Sequence, residues 1–235
     1  MDNNLSRKNN YEKLDPSDIP PDYYDFSFYV SKERMITYWH QANEILTRKP
    51  EKLLEIGIGN RIVSSILKCY GVETCTADIN ESLGPDVVVP ISELQSKFSQ
   101  GQYPFVLCAR VLQHLPFADF ENSISQLHHV TNNYLLLTLP VETLRVYIRF
   151  RITGKNPRTF SIPFPISLKK ILQRLSLKHS ENGKTQNFWK INQTPEVSMA
   201  NIKKCLEKHF IIEKSYQVPE DMSHAFFILK KKNNS

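Results

Sequence analysis

A glycine-punctuated turn between a strand pattern and a helix pattern constrains this chain most. Residues 53–59 read Leu-Leu-Glu-Ile-Gly-Ile-Gly. Leu53, Leu54 and Ile56 predict a buried strand, and Gly57 and Gly59 predict a turn that lets a ligand approach the backbone. Ile62, Val63, Ile66 and Leu67 follow at helical spacing, so a helix N-terminus faces that turn. About twenty residues after the turn, Thr74-Cys-Thr-Ala-Asp78 reads as a second strand ending in a carboxylate, where a ribose is hydrogen-bonded. This is the pattern of a nucleoside-cofactor site at the start of an α/β sheet.

The dinucleotide fingerprint G-x-G-x-x-G needs a third glycine, and Ile62 stands at that position. Glu55 lies two residues before the first glycine, near where a pyrophosphate would sit. A carboxylate there suits a cationic ligand better than a doubly anionic one. S-adenosylmethionine carries a sulfonium and an ammonium group and no phosphate, so the residue chemistry leans towards methyl transfer, with a nicotinamide oxidoreductase as a rival.

Six motifs, the glycine turn among them, carry a resemblance. The chain reads Glu55-Ile-Gly-Ile-Gly-Asn60, Thr76-Ala-Asp78-Ile79, Pro85-Asp-Val-Val88, Val111-Leu-Gln-His114-Leu-Pro116, and later Asn187-Phe-Trp189-Lys and Ala225-Phe-Phe-Ile-Leu229. In that order they resemble a class I S-adenosylmethionine-dependent methyltransferase, most strongly over about 52–140, and within that family a branch of small bacterial enzymes. The resemblance implies a Rossmann-like, doubly wound, seven-stranded and mostly parallel sheet with an insertion after the fifth strand. Two positions depart from it: Arg61 replaces the third glycine of the wider family's turn, and Pro90 stands where a polar or acidic residue helps to read adenine.

At 235 residues, 40% hydrophobic and 23% charged, the composition is that of one globular domain. No run of about twenty apolar residues predicts a membrane span, and Met1–Lys8 has no apolar signal region. Cys69, Cys75, Cys108 and Cys205 lie apart without C-x-x-C spacing, as in a reduced, cytoplasmic protein with no zinc site. A net charge of +6 permits an anionic partner without requiring one.

Residues 1–30 read as an N-terminal arm, in which Pro16, Pro20 and Pro21 alternate with Tyr23, Tyr24, Phe26, Phe28 and Tyr29; this composition predicts an arm packed on the domain at 31–235. An amphipathic helix is predicted over 31–46 with Met35, Ile36, Trp39, Ala42 and Ile45 on its apolar face. Strands are predicted at 52–57, 74–79, 86–89, 104–109, 134–139, 210–217 and 224–230, and helices at 61–70, 92–99 and 117–130. Pro195 after Thr194 predicts a late helix ending near 209. The stretch 141–193 breaks the alternation; it is rich in Arg and Lys interleaved with aromatics, carries a predicted helix at 167–176, and reads either as a solvated basic surface or as a substrate lid.

For the cofactor, the resemblance implies Glu55, Gly57 and Gly59 around the methionine part, Asp78 on the ribose hydroxyls and Ile79 beside the adenine. Cys108, Ala109 and Arg110 end the fourth strand and are expected to line the cofactor or acceptor side, with Tyr38 and Arg34 closing over the cofactor. His114 is the candidate general base, its alternative role being structural. His128 and His129 are expected to be structural, His224 to face the lid, and Trp189 to be a stacking surface for a sugar or a core residue. Cys108-Ala-Arg-Val111 replaces the Asn-Pro-Pro-Tyr type of motif found in enzymes that methylate base amines. The expected activity is metal-independent methyl transfer to a small-molecule or glycan acceptor by in-line displacement, with S-adenosylhomocysteine as product and the oligomeric state left open. An RNA methyltransferase using the basic stretch, and a cofactor-binding scaffold without turnover, are the alternatives.

Overall fold

The computed structural model describes residues 14–142, 145–150, 152–153, 158–163 and 188–232. Its centre is a seven-stranded sheet built from β1 (Lys52–Ile56), β2 (Glu73–Asp78), β3 (Val87–Val88), β4 (Tyr103–Ala109), β5 (Thr131–Pro140), β8 (Phe210–Val218) and β9 (Asp221–Lys231). The strand order is β3-β2-β1-β4-β5-β9-β8. β1 pairs in parallel with β2 and β4, and β4 with β5, while β9 runs antiparallel between β5 and β8. The predicted doubly wound, mostly parallel sheet is therefore present. The chain leaves β1 towards β3 and then crosses to β4, so the C-terminal ends of β1 and β4 flank the crevice where such sheets bind ligands.

Side-chain alternation divides the core into two layers. Leu54, Ile56, Val106, Cys108, Leu135, Leu137, Phe227 and Leu229 point into one, and Leu53, Phe105, Leu107, Leu136, Phe226 and Ile228 into the other. Burying each such Leu or Phe contributes about 2 kcal/mol. The first layer is covered by α3 (Phe120–Val130) and α4 (Met199–His209), the second by α1 (Lys32–Leu46) and α2 (Ile62–Cys69).

Three sequence expectations need correction. On α1 the buried face is Tyr38, Gln41, Ala42 and Ile45 with Thr37 and Glu44, whereas Trp39 is 59% exposed. The helix can bury these polar groups because they are satisfied: the Thr37 hydroxyl donates to the Arg34 carbonyl, and Glu44 accepts from Arg48, Lys214 and Tyr216. The late helix begins at Met199, capped by Ser198, whose hydroxyl accepts from Asn201 N–H; Thr194 instead accepts from Val197 N–H within the preceding turn. The predicted helix at 92–99 is a 3-10 turn, Ile91–Glu93, continued by one α turn, Leu94–Lys97.

In the insertion, β6 (Arg145–Phe150) and β7 (Arg158–Pro163) form a separate antiparallel pair. The predicted helix at 167–176 lies outside the described residues. No described helix is long and apolar enough to cross a membrane. The arm turns at Pro16–Asp18 and Pro21–Tyr24 and makes one helical turn at Phe26–Tyr29. Proline pre-sets the first residue of both 3-10 turns. Buried Asn80, just past β2, pins this arm: its amide donates to the carbonyls of Ile19 at 2.8 Å and Pro16 at 3.3 Å.

Candidate active site

A cavity of about 290 Å³ opens at the C-terminal ends of β1, β2 and β4. Its floor is the glycine turn. Gly57 has φ 79°, its N–H donates to Ala77, and a Cβ built on it would overlap the Val111 Cγ2 methyl. Gly59, at φ 45°, lies against the Tyr24 ring. Arg61 explains its own departure from the family pattern. It has the left-handed backbone (φ 59°) that glycine adopts freely and other residues take at about 1–2 kcal/mol. Its guanidinium donates to the Leu83 and Gly84 carbonyls, which offsets part of that cost.

Two carboxylates border the floor. Asp78 Oδ2 accepts from Ile58 N–H and Oδ1 from Asn80 N–H, both at 2.9 Å. Burial raises its pKa, and each oxygen keeps a lone pair for a further donor. Glu55 is 5% exposed, and burial pushes its carboxyl up to about 7 against the opposing influence of Ser64. Its Oε2 is buried with no hydrogen-bond partner among the described residues. A buried carboxylate oxygen left in that state is costly unless a cation or donor arrives.

The facing wall comes from the arm and α1. Ile19, Tyr24, Tyr29 and Tyr38 line the cavity. Tyr24 and Tyr29 pack edge to face with ring centres 4.9 Å apart. The Tyr38 hydroxyl accepts from the Asn60 amide at 3.0 Å, and Asn60 Oδ1 accepts from Ile62 N–H at 3.3 Å, joining α1 to the start of α2. Arg34 stacks over Tyr29, 3.8 Å from the ring centre.

At the β4 end stand Arg110 and His114. Arg110 has φ 61°; its N–H donates to Thr138 Oγ1 at 3.1 Å, and its guanidinium pairs with Asp221 at 3.1 Å. His114 closes a 3-10 turn, Leu112–His114.

The structure thus brings together Tyr38, Glu55, Gly57, Gly59, Asp78, Ile79, Ala109, Arg110 and His114 around one cavity, with Arg34 behind Tyr29. Cys108 does not reach it: its side chain is wholly buried in the core, where burial pushes the thiol up. Trp189 is no open stacking surface. It is 3% exposed, donates to the Leu115 carbonyl at 3.0 Å and packs edge-on against Phe117 and Phe120. His128 packs against His209 and Phe210, and burial, reinforced by Lys231 and His209, holds it down to about 4. His129 contacts the Phe98 carbonyl. Asn60, Asn80, Tyr24 and Tyr29 are site-building residues to which sequence reasoning gave no role there; the proline-aromatic composition of the arm was the available signal. Among the described residues, no three His, Cys, Asp or Glu side chains group as a metal site.

A scan against protein families finds no match, and no curated protein matches the chain. Solved structures do. The magnesium protoporphyrin IX methyltransferase of Synechocystis PCC 6803, solved with bound S-adenosylhomocysteine, is 15% identical with a TM-score of 0.58, over 90% of this chain and 98% of that one. The 1,6-didemethyltoxoflavin N1-methyltransferase of Burkholderia thailandensis is 12% identical with a TM-score of 0.56, over 90% and 83%. The N-methyltransferase NodS of Bradyrhizobium japonicum WM9 is 10% identical with a TM-score of 0.56, over 99% and 100%. The chain has the fold of class I S-adenosylmethionine-dependent methyltransferases.

Proposed function

We propose that the protein is an S-adenosylmethionine-dependent methyltransferase of a small-molecule or saccharide-type acceptor. The observation that carries this reading is the pairing of Glu55, with its unpartnered buried oxygen, and Asp78, with lone pairs to spare, on either side of a glycine floor that admits no side chain at residue 57. That donor set fits a ligand with a cationic end and a vicinal diol, and it does not fit a pyrophosphate. Solved relatives of this fold hold S-adenosylhomocysteine, which agrees. When bound, S-adenosylmethionine supplies an electrophilic methyl group on sulfur.

The chain's own residues then bind, orient and exclude water. Glu55 takes the ammonium end, and Asp78 accepts from the ribose hydroxyls. Ile79, Val89 and Ile91 offer apolar surface to the adenine, with Ser92 as the polar group beside Pro90. Arg34, next to Tyr29 and Tyr38, is suited to the methionine carboxylate. The arm tyrosines restrict water. His114 lines the cavity and stands as the candidate proton acceptor. Trp189 is a core residue and not the alternative sugar platform, so the small-molecule acceptor is the better supported of the two.

Calorimetric titration with S-adenosylmethionine and, separately, NAD tests the reading. Binding of the first and not the second is expected; preference for NAD would replace it with the oxidoreductase.

A further inference from the structure

The cavity is electrically two-sided. Carboxylates stand at its β1–β2 end, Glu55 and Asp78, while Arg110 and His114 stand at its β4 end. Further bases lie behind them. Arg34 stacks on Tyr29, and its nearest described electrostatic neighbours are the phenols Tyr23, Tyr29 and Tyr38 rather than carboxylates. His224, on β9 opposite Pro140, is held well below its usual range by burial and then by Arg110, Arg34, Lys190 and His114, so it stays neutral. Lys190 is itself paired with Glu142 at 3.5 Å.

Arg110 is the focus of this basic end. Its left-handed backbone is one that non-glycine residues adopt at a cost and that tends to mark functional positions. Asp221 fixes its direction: Oδ2 accepts from the guanidinium, while Oδ1 accepts from the Ser223 N–H at 3.1 Å and from the Ser223 hydroxyl. A guanidinium has five N–H donors, and Asp221 takes one at hydrogen-bond distance. Burial and the repulsion of nearby Arg34 both work against the charge of Arg110. A bound anion would relieve that repulsion. Arg34 stands behind Tyr29, outside the residues that line the cavity, whereas Arg110 lines the cavity itself and is the guanidinium that an anion there would meet first.

We infer that Arg110 holds an anionic group of the methyl acceptor, so that the substrate is a small organic acid bound through its carboxylate at the β4 end of the cavity. This inference rests on the proposed methyltransferase reading. It goes beyond that reading by assigning the acceptor's charge and the residue that recognises it.

The test uses the full chain saturated with S-adenosylhomocysteine and two probes of equal shape, benzoate and benzamide, which differ in charge. Benzoate is expected to bind at least about tenfold more tightly than benzamide, the size of one charge-assisted hydrogen bond. Arg110→Gln should abolish that preference while keeping S-adenosylhomocysteine affinity within about threefold. Asp221→Asn, which keeps the cation and removes its internal partner, should tighten benzoate by about threefold or more, and it decides the matter if Arg110→Gln fails to fold. Equal binding of the two probes to cofactor-loaded protein overturns the inference and leaves the methyltransferase reading standing. Loss of S-adenosylhomocysteine affinity in Arg110→Gln, with the benzoate preference intact, also overturns it, because Arg110 would then serve the cofactor's carboxylate. Failure of S-adenosylhomocysteine to bind the unaltered protein removes the underlying reading, and the inference with it.

Discussion

The floor of the cavity comes from one short stretch of chain, residues 55–78, whereas its facing wall comes from the arm and α1, which precede the floor in the chain, the arm being tied to it by Asn80, 61 positions from Ile19. On the floor, each residue's role follows from its neighbours: a strand delivers Glu55, a turn needs Gly57, and a second strand delivers Asp78. On the wall, Tyr24 and Tyr29 matter only because Asn80 ties the arm down, a contact spanning 61 positions to Ile19. Local chemistry builds a site that is rigid and readable. Long-range contacts build one that is adjustable and nearly silent in the sequence.

The sharpest break in that contrast is Gly57→Ala. The new methyl group meets Val111 and needs a left-handed backbone. S-adenosylhomocysteine affinity should fall at least about 100-fold and stability by about 2–4 kcal/mol. Near-unaltered binding would show that the floor tolerates movement of the Val111 loop.

Glu55 sharpens the comparison through pH. Its folded pKa of about 7 lies above the ordinary 4.5, so below about pH 7 it is protonated in the free protein, and its contribution to stability, full below about pH 4.5, is lost as pH rises through about 7. A cationic ligand favours the ionised form. Binding should therefore strengthen about tenfold between about pH 6 and 8, and Glu55→Gln should flatten that profile. A flat profile in the unaltered protein would separate Glu55 from the ligand.

The wall is probed by Asn80→Ala, which removes the donors to Pro16 and Ile19. We expect about 1–3 kcal/mol of destabilisation, faster proteolysis within the arm, and about three- to tenfold weaker cofactor binding. Unchanged affinity would detach the arm from the site. The smallest effect is expected at Arg61→Gly. Relief of the left-handed backbone and loss of the contacts to Leu83 and Gly84 oppose each other, so thermal unfolding should change by less than about 1 kcal/mol.

The same contrast accounts for what could be read from the residues alone. The order of strands and helices was legible because fully buried strands such as Leu53–Ile56 and Leu135–Leu139 are apolar runs broken by a single polar residue, Glu55 or Thr138, and separated by helical spacing. Glu55, Gly57, Gly59, Asp78 and Ala109 were legible for the same local reason. The rotation of α1 was not, since Trp39 is apolar yet exposed, while Glu44 is charged yet buried with partners on β8, about 170 residues away. Trp189 was left between two roles by its residue type alone, and the core role is the one found: its indole N–H is satisfied by the Leu115 carbonyl inside the core. Polar residues whose partners are distant, such as Asn60 and Asn80, carry no periodic signature at all.

The most direct measurement is a calorimetric titration of S-adenosylhomocysteine into the unaltered protein and into Asp78→Ala. Micromolar binding to the first, weakened by about 100-fold or more in the second, is the expected result, as two ribose hydroxyls lose a charged acceptor. No binding to the unaltered protein, or equal binding to both, would contradict the assignment of this cavity to the cofactor.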